Sequence, residues 1–309
     1  MRISRDVLSL LAPRFLLTGL RDSLYSPRFV PAGQDRQEAT RAMIDDNAFV
    51  DIHCHLVPGI DDGAQSWEQS LLMAAMAAAD GIQTIVVTPH QLGNFTHNSG
   101  QLIRARTSEL QQFLDNHGIA LRVLPGADVR IEPGLVEKLR SGEVLSLADR
   151  RRHVLLELPH ELYFPLEDVL DSLRRAGMVG ILSHPERNQG LLKQPRLLPP
   201  LVDRGCLMQV TCGSLLGTFG PASQQLSEWM LEQGLVHFLA TDAHGHNARR
   251  PLMKHAFERA KQLIGEEVAV DLCCRNPAAV AEGEEITARR YKTKPRGLLA
   301  GLFKRRHAA

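Results

Sequence analysis

The segment Asp51-Ile-His-Cys-His55 carries two imidazoles spaced two residues apart at the end of an apolar run. In an extended strand that spacing puts both rings on one face and Cys54 on the other, so the segment offers two metal ligands and a packing residue. Asp61 and Asp62 follow within one loop length. A His-x-His pair alone is equally well explained as two buried histidines satisfied by backbone, and the rest of the chain decides between the readings. His90, Asp128, Glu157, His184, Asp242 and His244 each stand at or just beyond the end of a further apolar run. Imidazole mixed with carboxylate, and no thiolate at a strand end, suits Mn2+, Fe2+, Zn2+ or Mg2+. So many candidate ligands predict more than one ion. Arg187, in His184-Pro-Glu-Arg187, and Arg249, shortly after His244, add planar guanidinium groups suited to two-point contact with phosphate oxygens. Each residue taken singly has an ordinary explanation: a helix cap for Asp62, a satisfied core histidine for His184, a surface ion pair for either arginine. Their common position at strand ends has none.

Seven apolar, β-branched runs predict the strands that would carry these groups: Phe49 to His55, Thr84 to His90, Leu121 to Gly126, His153 to Leu158, Val179 to His184, Leu207 to Cys212 and Val236 to Asp242. Near-continuous apolar strands are what a parallel sheet covered on both faces requires. Helical patterns alternate with them at Trp67 to Asp80, Gln101 to Asn116, Pro165 to Ala176, Pro199 to Gly205, Ala222 to Gly234 and Pro251 to Ile264, with Gly81, Gly177, Gly205 and Gly234 placed as helix stops. The alternation predicts an α/β barrel or a doubly wound sheet. The barrel is favoured, because the carboxyl ends of its parallel strands open on one face, where all the candidate ligands would meet.

The 309 residues are balanced between 36 basic and 35 acidic side chains, for a net charge of +1, which argues against a nucleic-acid binder held by its overall field. Five cysteines, an odd number without framework spacing, predict free thiols in a reducing compartment, and the chain reads as cytoplasmic. The apolar stretch Val7 to Leu20 is broken by Pro13 and Arg14 and is too short to span a bilayer. Three regions are expected: an extension over residues 1 to 47 with an interfacial helix and linker, a catalytic barrel over 48 to 288, and a basic tail over 289 to 309. The tail holds eight Lys or Arg, no acidic residue and the apolar insert Gly297 to Phe303, a pattern suited to peripheral contact with an anionic membrane surface or an acidic partner, or to a solvated end.

Seven ordered motifs give the chain a resemblance to a known superfamily: DIHCHLVPGIDDGA at 51 to 64, VVTPH at 86 to 90, GADVRI at 126 to 131, LLELP at 155 to 159, ILSHPERN at 181 to 188, QVTCGSLLGTFG at 209 to 220 and LATDAHG at 239 to 245. Over residues 50 to 281 it resembles the polymerase and histidinol phosphatase (PHP) superfamily, and within it the bacterial tyrosine-protein phosphatases of capsule and exopolysaccharide biosynthesis. The resemblance implies a distorted (β/α)7 barrel of the PHP type with up to three divalent ions, usually manganese. It implies His53, His55, Asp62, His90, Asp128, Glu157, His184, Asp242 and His244 as metal ligands and Arg187 and Arg249 as the catalytic phosphate-binding pair. Asp128 departs from the family pattern, which has glutamate there, and is one methylene shorter.

The implied activity is hydrolysis of phosphotyrosine by a metal-activated water, on a protein substrate such as a tyrosine autokinase of polysaccharide export. A cation acidifies water and neutralises charge on the transferring phosphoryl group. The sequence agrees in one respect, since none of the five cysteines is followed six positions later by an arginine, as a phosphocysteine mechanism would need. His160 and His246 are candidate contributors to leaving-group departure. Two alternatives stand beside this expectation: a phosphatase for a small metabolite such as histidinol phosphate, and a weakly metal-binding scaffold whose basic ends act at a membrane or on a partner.

Overall fold

Nine parallel strands order the chain in a computed structural model, which describes residues 48–291. They are β1 (Phe49–Cys54), β2 (Ile82–Val87), β3 (His90–Gln91), β4 (Arg122–Pro125), β5 (Asp128–Arg130), β6 (His153–Glu157), β7 (Val179–Ser183), β8 (Leu207–Thr211) and β9 (Phe238–Ala240). One sheet runs β1-β2-β4 and the other β3-β5-β6-β7-β8-β9. The two are segments of one surface. β3 continues β2 past Thr88 and Pro89, so the expected second strand is interrupted once, and β5 continues β4 past Gly126 and Ala127, beyond the expected end of the third strand at Gly126. Proline supplies no N–H to a ladder, and Pro125 and Pro89 stand at these breaks. The Pro89 carbonyl still accepts from Asp128 N at 3.2 Å, which carries the pairing across. Gly126 is required there, since a Cβ would meet Val86 Cγ1 at 2.7 Å.

The last strand returns to the first. A parallel bridge pairs Cys54 with Ala243, Asp242 N donates to His53 O at 2.7 Å, and His55 N donates to Ala243 O at 2.9 Å. Counting the interrupted strands once, seven strands form a ring in sequence order, each joined to the next by a crossover, as parallel pairing demands. Helices Trp67–Asp80, Gly100–Asn116, Glu167–Arg175, Leu198–Asp203, Pro221–Glu232 and Lys254–Ile264 occupy the six expected helical positions, five in crossovers and the last after β9. Ser66 caps the first by accepting from Gln69 N, and Gly81 ends it at φ 103°, as its place in the sequence predicts. Four shorter helices (Leu135–Ser141, Gln189–Lys193, Cys212–Leu215, Glu266–Val270) and the π-helical turn Asp271–Arg275 leading into Asn276–Glu282 were not expected. The first three bury too few apolar positions to leave a periodic signature, whereas the run from Glu266 to Glu282 buries Ala269, Val270, Leu272, Cys273, Cys274, Val280 and Ala281.

Alternation along the strands sorts the core into two layers. Val86, Leu155, Ile181, Leu207 and Phe238 pack inside the ring, while Val87, Leu156, Leu182, Val210 and Leu239 pack under the helices. β1 departs from this rule at the point that matters. Val50 and Ile52 belong to the inner cluster and Cys54 to the outer one, and the pairing register with β2 shifts between Asp51 and Cys54. This irregularity changes the phase of the strand, so that His53 follows Ile52 onto the inner side and His55 joins it. All five cysteines are buried. No helix of the described residues is long and apolar enough to cross a membrane. Arg290 pairs with Asp203 at 2.6 Å, and the Tyr291 hydroxyl donates to Leu231 O at 3.0 Å. The extension over residues 1 to 47 and the tail beyond Tyr291 lie outside the described residues.

Candidate metal centre and phosphate site

The strand ends deliver nine of the predicted side chains to one place. Ligand atoms within 4.8 Å of one another form four groups: His55, Asp62, His90 and His244; His53, His55 and Asp242; His53, Asp128 and His184; His90, Asp128 and Glu157. His53, His55, His90 and Asp128 each belong to two groups, so the four form one continuous cluster. Above it lies a pocket of about 240 Å³ whose wall includes Asp62, Glu157, Arg187, Asp242 and Arg249.

Burial and neighbouring charge favour neutral rings at His55 and His184 and ionised carboxylates at Asp62 and Asp242, and act the other way on His90 and Glu157. Burial, reinforced by the neighbouring His244 and His90, pushes His55 well below the ordinary imidazole value. Burial brings His184 down to about 3. Burial opposes the charge on Asp242, but His53, Arg249 and His184 around it outweigh that and hold it below the usual carboxylate range. Hydrogen bonds from His244 and His90 hold Asp62 low. Burial also disfavours a charged His90, yet the Asp128 and Asp62 carboxylates push its ring up to about 11. Glu157 is raised to about 7 by burial and by Asp128 beside it. A cluster this rich in carboxylate demands a counter-charge, and protonation of His90 supplies one.

Buried orphans test whether the residues fit a cation. Asp128 is fully buried and neither of its oxygens accepts a hydrogen bond. A carboxylate in that state is costly unless paired with a cation. The residues present therefore fit divalent ions, and the aspartate at this position is directed at the cluster, 3.6 Å from His53 Nε2 and 3.4 Å from His90 Nδ1.

Several residues that hold these groups in place were given no role from the sequence. Asp61 is one: its Oδ2 accepts from His55 Nδ1 at 2.7 Å and from His90 N at 3.1 Å, and its Oδ1 accepts from Gly63 N at 2.9 Å. Gln209 Oε1 accepts from His53 Nδ1 at 2.9 Å. Buried Glu186 accepts from Thr211 N at 3.0 Å and so ties the Arg187 segment to the end of β8. The pairing of a histidine with an acceptor six or 156 residues away leaves no local pattern, although the doubled aspartate at 61 and 62 was visible. Asp62 is not a helix cap, since Ser66 has that role.

Arg187 and Arg249 both hydrogen-bond Asp242 Oδ2, the second at 2.6 Å. Phe219 lies against both, its ring centre 4.1 Å from the Arg187 guanidinium carbon and 5.9 Å from that of Arg249. Stacking on an aromatic face leaves the edge donors of a guanidinium free for an anion. His184, Asp242 and Arg249 all have positive φ, at 31°, 50° and 48°, a conformation non-glycine residues rarely adopt and which concentrates at functional sites. His160 lines the pocket, whereas His246 turns to Asn247, 3.1 Å away.

Residues 49–282 match the family described as Capsular polysaccharide synthesis, CpsB/CapC. The tyrosine-protein phosphatase YwqE of Bacillus subtilis is 35% identical over 222 residues, covering 71% of this chain and 87% of YwqE. The tyrosine-protein phosphatase CpsB of Streptococcus pneumoniae is 25% identical over 237 residues, covering 75% of this chain and 98% of CpsB. Among solved structures, a chain from the crystal structures of YwqE and CpsB, described as unique metal-dependent tyrosine phosphatases, superimposes with a TM-score of 0.75 at 32% identity, covering 80% of this chain and 100% of that one. With a family match over the whole ring of strands and a relative this similar across most of its length, the chain belongs to the CpsB/CapC family of capsular polysaccharide synthesis.

Proposed function

We propose that this chain is a metal-dependent protein-tyrosine phosphatase. The observation that carries the reading is the convergence of nine imidazoles and carboxylates beneath a pocket flanked by two arginines, in a chain whose relatives are tyrosine-protein phosphatases. His53, His55, Asp62, His90, Asp128, Glu157, His184, Asp242 and His244 would hold up to three divalent ions, with manganese the expected metal and Fe2+, Zn2+ or Mg2+ as substitutes. What such ions supply is a water acidified toward neutral pH and a counter-charge for the phosphoryl oxygens.

The chain's own residues do the rest. Arg187 and Arg249 turn their free donors to the phosphoryl oxygens and neutralise charge that spreads over them as the ester bond breaks. Phe219 holds the two guanidiniums in place. Asp61 and Gln209 fix the rings of His55 and His53 so that each presents Nε2 to the cluster. The phosphate-binding arginines sit at the mouth and the buried carboxylates beneath, so the leaving tyrosine departs toward solvent. Its phenol has a pKa of about 10 and needs little assistance to leave.

The substrate is a phosphotyrosine-bearing protein, and an autokinase of capsule or exopolysaccharide biosynthesis is the fitting partner, met in the cytoplasm at the inner membrane face with help from the basic tail. Purified protein should hydrolyse a phosphotyrosyl peptide, lose that activity on thorough chelation and regain it with Mn2+, with elemental analysis reporting the bound metal. Activity that survives chelation would remove the metal from the reaction. Hydrolysis of histidinol phosphate alone would transfer the chain to small-metabolite chemistry.

A further inference from the structure

Two large apolar side chains are exposed among the described residues, Leu162 at 58% and Leu216 at 43%. An isolated exposed leucine needs no explanation. These two occupy the loops tied to the Arg187 segment, one held by Asn188 of the pocket wall and the other carrying the ring on which Arg187 stacks. Leu162 follows β6, two residues beyond His160, which lines the pocket. Leu216 follows β8, three residues before Phe219, whose ring lies on Arg187.

Both loops have firmly held backbones. Asn188 Nδ2 donates to Pro159 O at 2.8 Å and to Leu162 O at 3.0 Å, and Gln189 N donates to His160 O at 2.9 Å. On the other side, Thr218 N donates to Gly213 O at 2.8 Å and Gly220 N to Gly217 O at 3.1 Å. The residue after Arg187 thus pins one loop, while Arg187 itself stacks on the other. Apolar side chains held in water by fixed backbones, on the two loops that adjoin the pocket's arginine, are placed to meet a substrate without rearrangement.

We propose that Leu162 and Leu216 form an apolar rim that receives the apolar side chains flanking the phosphotyrosine in an extended segment of the protein substrate. The proposal rests on the phosphatase reading and names the sequence preference of that site. The occupant follows from continuity with the pocket. A phosphoryl group gripped by Arg187 and Arg249 leaves the tyrosine ring at the mouth beside Phe219, and the peptide chain on either side of that tyrosine then crosses the two loops. Free phosphotyrosine reaches the arginines but not the rim. The rim therefore acts on peptide and protein substrates alone.

The test compares free phosphotyrosine, a phosphotyrosyl peptide with leucine on both sides of the tyrosine, and the same peptide with serine there, using the metal-loaded enzyme. Wild type should favour the leucine peptide over the serine peptide by about tenfold in kcat/KM, the scale of one or two partly buried leucine contacts. Leu162→Ser with Leu216→Ser should abolish that preference, chiefly through KM, while turnover of free phosphotyrosine stays within about twofold. Leu162→Met with Leu216→Met should keep the preference. A wild type indifferent to the flanking residues overturns the rim, as does a preference that survives in the serine variant or a parallel loss on free phosphotyrosine. Failure of wild type to hydrolyse free phosphotyrosine and both peptides removes the phosphatase reading itself, and the rim with it.

Discussion

His53 and His55 turn their Nε2 atoms toward each other at 3.3 Å, while both Nδ1 atoms are already committed, to Gln209 Oε1 at 2.9 Å and to Asp61 Oδ2 at 2.7 Å. Those partners can only accept, so each Nδ1 carries the proton and each Nε2 presents a lone pair. Two facing lone pairs, with Asp242 Oδ1 3.3 Å from one and 3.6 Å from the other, repel unless a cation lies within their reach. Metal removal should therefore destabilise the fold as well as abolish activity. At an ion concentration about a hundredfold above Kd the expected stabilisation is roughly 2.7 kcal/mol per site. Calorimetry in EDTA and then in Mn2+ checks it, and an unchanged Tm would contradict a cation between these rings.

Asp61 orients His55 without belonging to any of the groups of converging ligand atoms. Asp61→Ala should weaken metal binding by about 10- to 100-fold, the usual effect of removing a carboxylate behind a ligating imidazole. Titration calorimetry with Mn2+ measures this directly. Wild-type affinity in the variant would show that the ring is held by packing alone.

Arg187→Ala should lower kcat/KM for a phosphotyrosyl peptide by about 10- to 100-fold, the value of one or two charge-assisted hydrogen bonds. Arg187→Lys should recover little of it. An ammonium offers a point charge without the planar donors or the flat face that Phe219 supports. Full recovery with lysine would mean that charge alone matters at this position.

At the far end of the ring, His153 is buried with both ring nitrogens unpartnered and His237 is buried beside β9. Burial lowers each from 6.5 to about 4. The unfolded chain binds the proton first, so the stability these residues allow is complete above pH 6.5, declines as pH falls toward 4 and levels off below it. Replacing His153 with phenylalanine should remove its share, on the order of 2 kcal/mol between neutral pH and pH 4. Denaturant melts of wild type and variant at several pH values give the difference, from which the titration of the metal ligands cancels. Parallel curves would show that His153 keeps its ordinary affinity for protons.

Gly63 is required by close approach. A Cβ there would lie 2.3 Å from His55 O and 2.4 Å from His55 Cβ. Gly63→Ala should cost about 2 kcal/mol or more through overpacking and should displace His55 from the cluster. Loss of metal affinity together with a lower Tm is the expected pair of effects, and a variant normal in both would mean that the loop moves aside freely.

The strands and the side chains that converge at their ends were legible because each apolar run ends in a group that has no reason to follow it unless the ends meet. The helices Trp67–Asp80 and Gly100–Asn116 were legible from their apolar period and, for the first, its closing glycine. Less visible were the interruptions that separate β2 from β3 and β4 from β5. These depend on how Pro89 and Gly126 sit against neighbouring strands, and the short helices after β7 and β8 are set by the same tertiary contacts.

By itself, the sequence determined the chemical character of the site, because imidazole, carboxylate and guanidinium side chains carry their chemistry wherever they are placed. It also determined the parallel α/β pattern, because hydrophobic periodicity is local. Only the tertiary structure decided that β1 slips its register to turn His53 inward, that Asp61 supports His55 while Asp62 faces His90 and His244, and that Gln209 selects the tautomer of His53. Those are relations between residues distant in the chain or differing by one position in a loop. Their energies arise from desolvation and hydrogen-bond geometry, which exist only once the ring has closed.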